Sequence, residues 1–299
     1  MSNRHPNEDV RAALHVIALR VIALHVIGLL VIATGCAAEV DDVGERASAI
    51  TSGWRDDGDE PVVALMRAGA LLCTGTLIAP GVVLTAAHCV TPLEPQAVFF
   101  GPVLELPEDR VDVARVRAHP EYDPNTLLHD IAIVELAYDV DVTPAEIVPG
   151  AVREDRIGSE VRIVGYGLLS AGGATDLRKR SGTTYIESLD SSRFRLSGEP
   201  SQPCRGDSGG PAFLQVGSRE PVVGVHSGGD ASCTGGSYET RVDAHMDFLE
   251  PYLARPYSTG PGGVTPGCHA AGSAPTSPFF PFFSLLAMAI ARRARRSLR

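Results

Sequence analysis

The chain has 299 residues, of which 44% are hydrophobic and 21% are charged, and its formal net charge is −10. This apolar content excludes an intrinsically disordered chain and is typical of a globular protein. The acidic balance argues against partners that present rows of phosphates, so we expect no nucleic-acid binding and no electrostatic attraction of the folded body to anionic lipid.

Residues 1–36 have the pattern of a secretory signal. Arginines precede an apolar run at residues 21–34, which is too short to span a bilayer comfortably. The run ends in Ala33-Thr34-Gly35-Cys36, which resembles the cleavage box of bacterial lipoproteins, where the Cys becomes the lipidated N-terminus. An ordinary signal peptide with an incidental Cys36 is the alternative. In either case we expect export and a propeptide at residues 37–49.

The body of the chain, residues 50–256, reads as one all-β domain. Short runs rich in Val, Ile and Leu follow one another at intervals of about ten residues, with Gly, Pro and Asp between them, which indicates a sandwich or barrel. The predicted strands are residues 62–66, 71–78, 81–84, 97–100, 111–118, 131–136, 161–164 and 222–225. Residues 242–253 carry apolar side chains at helical spacing and predict a C-terminal helix.

An acidic run lies near the start of this domain, at Asp56, Asp57, Asp59 and Glu60. Oxygen ligands of this kind are those that Ca²⁺ prefers, but a solvated turn is the favoured interpretation. We therefore expect no metal and no cofactor.

The C-terminal end also has the composition of a targeting segment. A Gly/Pro-rich linker at residues 257–268 ends in Cys268, and residues 269–299 contain an apolar run followed by five arginines. Positive charge after an apolar segment halts translocation. The pattern resembles the Cys, hydrophobic helix and Arg cluster of sorting tails on surface proteins of some Gram-negative bacteria, the myxobacteria among them. A simple stop-transfer anchor is the alternative. Any membrane contact is thus expected only through the terminal segments.

Six cysteines are present, and two of them, Cys36 and Cys268, belong to the ends. The remaining four are Cys73, Cys89, Cys204 and Cys233. An even set in an exported chain favours disulfides, with three pairings open. None of the spacings is a close Cys-x-x-Cys pair, which argues against zinc.

Three short segments carry residues of catalytic type. They are Leu84-Thr85-Ala86-Ala87-His88-Cys89, His129-Asp130-Ile131-Ala132-Ile133-Val134-Glu135-Leu136, and Cys204-Arg205-Gly206-Asp207-Ser208-Gly209-Gly210-Pro211. Together, in this order, they resemble the signature segments of the chymotrypsin/trypsin family of serine proteases, over about residues 50–253. The resemblance implies two packed six-stranded antiparallel β-barrels with a C-terminal helix, and an active site in the cleft between them.

The resemblance also implies the roles of the catalytic residues. Ser208 would be the nucleophile of a serine endopeptidase acting on protein or peptide substrates. His88 would be its general base and then its acid, and Asp130 would orient the imidazole. The backbone N–H groups of Gly206 and Ser208 would bind the oxyanion.

By the same resemblance, cleavage before Ile50 would free an ammonium group that pairs with Asp207 and orders the oxyanion loop. Ala49 precedes that bond where trypsin-like precursors carry Arg or Lys, so the unidentified activating protease would cut after a small residue, unless activation is autocatalytic. The implied disulfides are Cys73–Cys89 and Cys204–Cys233.

In the implied substrate pocket, Gln202 lies at the base, six residues before Ser208, and Ser227 and Gly229 lie on the strand that pairs with substrate. A neutral amide at position 202 argues against a strict Arg/Lys preference and for an uncharged side chain at the cleavage position. We expect the neighbouring His226 to be structural. A non-catalytic surface binding protein on the same fold, and an adhesion protein held by the two ends, are the alternatives to an enzyme.

Overall fold

The computed structural model describes residues 50–104 and 110–254. The signal, propeptide, linker and tail assigned above lie outside these residues, as do Cys36 and Cys268. The thirteen strands of the described ranges are β1 (Trp54–Arg55), β2 (Val62–Arg67), β3 (Ala70–Ala79), β4 (Val82–Thr85), β5 (Ala97–Phe99), β6 (Arg110–Ala118), β7 (Ala132–Leu136), β8 (Glu160–Gly165), β9 (Arg180–Leu189), β10 (Arg193–Leu196), β11 (Pro211–Leu214), β12 (Val222–Gly229) and β13 (Ser237–Arg241).

The strands form two closed antiparallel barrels of six strands each, which confirms the predicted fold. The first barrel runs in the order β2-β3-β4-β7-β6-β5. The second runs β8-β9-β10-β13-β12-β11 and closes where β11 returns to β8, while β1 adds to it through β9. Closure leaves no long unpaired strand edge in either barrel.

Side chains that alternate inward along the strands fill each barrel. Leu65, Leu84 and Ile133 are fully buried in the first barrel, and Ile186 and Leu196 in the second. The second barrel also contributes to the core of the first. Tyr166, which follows β8, is fully buried, and its hydroxyl lies 3.1 Å from the carbonyl oxygen of Val62 and 2.6 Å from that of Gly101. Tyr166 therefore joins the two barrels, through its burial in the core of the first and through these two hydrogen bonds.

The C-terminal helix, α1, spans Met246–Leu253. The prediction placed its start at residue 242, but Asp243–His245 form a turn of 3-10 helix instead. Leu249 of α1 is fully buried in the core of the first barrel. In the described ranges, no helix has the length and apolarity needed to cross a membrane.

The acidic run near β1 is only partly a solvated turn. Asp57 and Glu60 are exposed, but Asp56 is buried, and Asp59 is paired with the guanidinium group of Arg162. Although burial opposes ionisation, the hydrogen bond and charge of Arg162 hold the pKa of Asp59 below its ordinary value. The prediction of a solvated turn is wrong for Asp56 and Asp59, because a cation from β8 covers them.

Candidate active site

Asp130 lies at the centre of the site and is completely buried. Its Oδ2 atom binds the His88 ring at Nδ1 (2.7 Å) and accepts a hydrogen bond from the Ser227 hydroxyl (2.6 Å). Its Oδ1 atom accepts the backbone N–H of His88 at 2.9 Å. The Thr240 hydroxyl donates to its main-chain carbonyl oxygen at 3.0 Å. A buried carboxylate with this many donors is held in one orientation.

His88 is positioned by the local chain path after β4. Ala87–Cys89 form one turn of 3-10 helix, and Cys89 is disulfide-bonded to Cys73 of β3. The turn and the bond to Asp130 fix one face of the ring, while the side chain remains 27% exposed. The ring can thus be oriented by protein on one side and reached by substrate on the other.

Ser208 lies in a loop of the second barrel that the first barrel holds through Thr74 of β3. The Thr74 N–H donates to the carbonyl oxygen of Ser208, and its hydroxyl donates to that of Gly206, both at 2.8 Å. The Sγ atom of Cys89, the neighbour of His88, lies 3.6 Å from the Ser208 carbonyl oxygen. These contacts bring the Ser208 segment to the part of the first barrel that carries His88.

Some backbone N–H groups of this loop donate hydrogen bonds to backbone carbonyl groups, and others do not. Asp207 N–H donates to Cys204 O at 3.0 Å, Gly209 N–H to His226 O at 2.8 Å, and Gly210 N–H to Asp207 O at 2.8 Å. Within the described part of the chain, the N–H groups of Gly206 and Ser208 have no such acceptor. The two amides expected to bind an oxyanion are therefore among the backbone donors that the described residues leave without an acceptor.

Gly206 is required at its position by conformation and by space. Its φ is +97°, and a Cβ added there would lie 2.9 Å from the Cα of Gly167. Any other residue would strain the backbone and displace the peptide that carries one of the two amides expected to bind the oxyanion.

Asp207 is buried next to Ile50. Its carboxylate accepts the N–H groups of Gly167 and Cys204, each at 2.8 Å. Burial raises the pKa of Asp207 to about 6, against the opposing effect of these amides, the charge of His226 and the backbone N–H of Ile50. Ile50 is 1% exposed and has a φ of +51°, which is strained for a β-branched residue. The structure therefore brings the two members of the expected activation pair together.

The expected pocket residues meet where β12 and β13 pair. Gln202 is 1% exposed, and its side-chain oxygen accepts the N–H of Gly236 at 2.7 Å, next to the paired residues Gly229 and Ser237. The Gln202 side-chain nitrogen is buried without a partner in the described residues. Cys204 is disulfide-bonded to Cys233 in this region, as the resemblance implied.

Sequence analysis missed a buried acid in this region. Glu239 is completely buried, and its Oε1 atom binds His226 Nδ1 at 2.9 Å. Although burial favours a neutral ring, the charge and hydrogen bond of Glu239 raise the pKa of His226 above its ordinary value. Glu239 stands on a polar strand with no motif, so only its pairing with His226 across β12 and β13 reveals it.

Sequence analysis also missed the hydroxyl groups that hold the site. Ser227 was expected to line the pocket, but its side chain binds Asp130. Thr74 and Thr240 had no assigned role at all. A small hydroxyl residue within a strand is too common to be singled out from one sequence.

A cavity of about 600 Å³ borders the loop at Gly206, and none of the expected pocket residues lines it. Its lining is largely apolar and also includes Arg205. The apolar residues that line it are Met66, Ala70, Leu71, Leu72, Leu104, Leu168 and Leu177.

Residues 53–249 match the sequence pattern of the family described as Trypsin. Serine protease 56 of Mus musculus is 30% identical over 69% of this chain and 38% of its own length, and serine protease Hayan of Drosophila melanogaster is 30% identical over 60% and 34%. The chain thus spans well under half the length of these two relatives. Among solved structures, human heparin binding protein has a TM-score of 0.60 at 22% identity, covering 70% of this chain and 99% of its own. Mouse neuropsin, a serine protease, also has a TM-score of 0.60, at 21% identity, covering 68% of this chain and 99% of its own. With its two barrels and a pattern match over most of its length, the chain belongs to the trypsin family of S1 peptidases.

Proposed function

We propose that the chain is an exported serine endopeptidase that hydrolyses protein or peptide substrates through Ser208, His88 and Asp130. The bond of 2.7 Å between the buried Asp130 carboxylate and His88 Nδ1 carries this proposal. A ring bound at Nδ1 keeps its proton there, so Nε2 is the nitrogen that can accept a proton from Ser208.

The reaction would proceed in two halves through an acyl-enzyme. Ser208 Oγ attacks the scissile carbonyl carbon as His88 takes its proton, and the N–H groups of Gly206 and Ser208 bind the resulting oxyanion. The C–N bond then breaks, and His88 protonates the leaving amine. Water, deprotonated by His88, hydrolyses the ester in the second half and restores Ser208. Asp130 stabilises the imidazolium formed in each half.

Activation would follow cleavage between Ala49 and Ile50. Two features of Ile50 support this step: its buried position beside Asp207 and its φ of +51°. The dihedral angle φ exists only while Ile50 is bonded to Ala49, so cleavage removes the strain. The new ammonium would then offset the burial of the Asp207 charge, which is costly without a partner.

Substrate selection would depend on two regions beside Ser208. We propose an uncharged side chain at the cleavage position, since Gln202 carries no charge and the charge of Glu239 is compensated by His226. The largely apolar cavity beside Gly206, which none of the expected pocket residues lines, would favour apolar residues after the scissile bond. A peptide library separates the two preferences, because each would appear on its own side of the cut.

Export is the remaining part of the proposal. The apolar run at residues 21–34 supports it, and so do the two disulfides, which persist in oxidising compartments. Lipidation at Cys36 and processing at Cys268 remain proposals of this kind. N-terminal sequencing of the active protein tests the scheme, with Ile50 as the expected first residue.

The proposed activity is tested by labelling with a fluorophosphonate after cleavage before Ile50. Ser208→Ala should abolish both labelling and peptide hydrolysis, while Ser191→Ala, at an exposed position between β9 and β10, should change neither. A folded, correctly cleaved protein that neither reacts with the probe nor hydrolyses any library peptide would contradict the proposal and favour the non-catalytic binding protein.

A further inference from the structure

Three histidines outside the catalytic residues converge where the first barrel meets the C-terminal helix. His119 follows β6, His129 precedes Asp130, and His245 ends the 3-10 turn before α1. One ring nitrogen of each lies within 4.8 Å of the other two. His129 Nδ1 and His245 Nε2 are 3.0 Å apart. Three neutral imidazoles at such distances are a common ligand set for transition metals.

In two of these rings, the nitrogen that points away from the cluster faces a polar group. That contact orients the other nitrogen toward the cluster. His245 Nδ1 donates to the carbonyl oxygen of Arg241 at 2.7 Å, which leaves Nε2 without a proton and aimed at His129. His129 Nε2 lies 3.9 Å from the carboxylate of Glu121. Metal-binding histidines usually give their second N–H to a carbonyl or a carboxylate in this way.

The third ring is close enough to join them. His119 stacks on His129 with ring centroids 4.9 Å apart, and its centroid is 5.3 Å from that of His245. Its Nδ1 atom accepts only a 3.2 Å hydrogen bond from the Glu121 N–H, and the residue is half-buried, so the ring has room to turn. Burial and the nearby imidazoles lower the pKa of His119, and burial lowers that of His245. Both effects favour the neutral form that binds metal ions.

We propose that His119, His129 and His245 form a binding site for one divalent transition-metal ion of the Zn²⁺ class. A tetrahedral ion with Zn–N bonds of ~2.0–2.1 Å places its nitrogens about 3.3 Å apart, close to the 3.0 Å separation of His129 and His245. Three protein ligands leave the fourth position for water. The described residues contain one other group of potential metal ligands, at His88. Its other two members, Cys73 and Cys89, are disulfide-bonded to each other, so this group does not offer three ligands.

The ion would link segments that are far apart in sequence. It would link His129, the residue next to Asp130, to the turn that leads into α1. The φ of His129 is +54°. Binding does not require catalysis, so it can be measured on Ser208→Ala protein, which cannot digest itself. A failure to bind a metal ion can therefore be distinguished from a failure of the proposed protease function.

The test is a titration of chelator-treated Ser208→Ala protein with Zn²⁺ by calorimetry and with Co²⁺ by visible absorption. We expect one ion per chain with a micromolar or tighter Kd, together with the ligand-field bands of a low-coordinate Co²⁺ site. His129→Gln and His245→Gln should each weaken binding at least ~100-fold, more than the 10–100-fold typical of losing an outer partner. His88→Ala should leave the affinity unchanged.

His119→Phe is the matched control for packing. Phenylalanine keeps a ring against Phe248, whose centroid is 5.0 Å from that of His119, but it cannot bind a metal. The folded variant should lose the Zn²⁺-dependent rise in Tm that the parent protein shows. The proposal is overturned if the parent protein binds no ion, if His119→Phe binds with parental affinity, or if only His88→Ala removes binding. Binding that survives all three ring variants would locate the ion elsewhere in the chain and would overturn it equally.

Discussion

Burial of Asp207 makes the stability of the uncleaved chain dependent on pH. The folded protein raises the pKa of Asp207 from 3.8 to about 6. Between these values the carboxyl group binds a proton in the folded state and has lost it in the unfolded state. The contribution of Asp207 to the free energy of unfolding is therefore largest below pH 3.8 and is lost as the pH rises through about 6. A shift of about two units corresponds to roughly 3 kcal/mol of unfolding free energy.

The measurement is urea unfolding of Ser208→Ala protein, with and without Asp207→Asn, followed by the fluorescence of Trp54, the single tryptophan. Asparagine is neutral at every pH, so the difference in unfolding free energy between the two proteins isolates the titration of Asp207. That difference should move by about 2 kcal/mol against the Asp207 protein between pH 4 and pH 6.5, which is most of the full effect.

Two outcomes would refute this reasoning. A difference that stays constant between pH 4 and pH 6.5 would show that burial does not raise the pKa of Asp207. The second concerns the chain cleaved before Ile50, where the new ammonium should stabilise the ionised carboxylate and greatly reduce the loss of stability on raising the pH. An unchanged pH dependence after cleavage would show that Ile50 and Asp207 do not form the activating pair.

Three further substitutions test the catalytic geometry by steady-state kinetics on a cleavable peptide. Asp130→Asn should lower kcat by about 10⁴-fold with the fold retained, because the amide favours the wrong tautomer of His88; a near-normal kcat would contradict the orienting role. Ser227→Ala should lower kcat about 10- to 100-fold with little change in KM, because a hydrogen bond to a buried charge is worth ~1.5–3 kcal/mol; Ser227→Thr, which keeps the hydroxyl, should recover much of the loss. Gly206→Ala should lower kcat by about 10²–10³-fold by displacing one oxyanion donor, and an unaltered kcat would show that the amide of Gly206 is not used.

The sequence predicted the first barrel well and the second barrel poorly. In the first barrel, β2, β3, β4 and β7 are nearly continuous apolar runs, because both their inner faces and much of their outer faces are covered. In the second, the prediction omitted β9, β10, β11 and β13. Strand β9 contains Ser181, Thr183 and Thr184, and Thr184 is fully buried with its hydroxyl 3.2 Å from that of Ser197. Polar residues that are buried in pairs leave no apolar pattern for a periodicity argument to find.

The candidate site shows a similar division. The sequence indicated His88, Asp130 and Ser208, because the three segments that carry them, taken together and in this order, resemble the signature segments of the trypsin family. It could not indicate the pairing of Glu239 with His226, since that depends on the register of β12 against β13. Which side chains meet across two strands depends on the register in which the strands pair. A single sequence does not show that register.

The hydroxyl groups at the site connect the two barrels in both directions. Thr74, from the first barrel, holds the carbonyl oxygens of Gly206 and Ser208, which belong to the second. Ser227 and Thr240, from the second barrel, hold the side chain and the main chain of Asp130, which belongs to the first. Each barrel thus fixes a catalytic element that the other supplies. The geometry of the site consequently depends on how the barrels are docked, because Asp130 and the Ser208 loop are each held by groups of the opposite barrel.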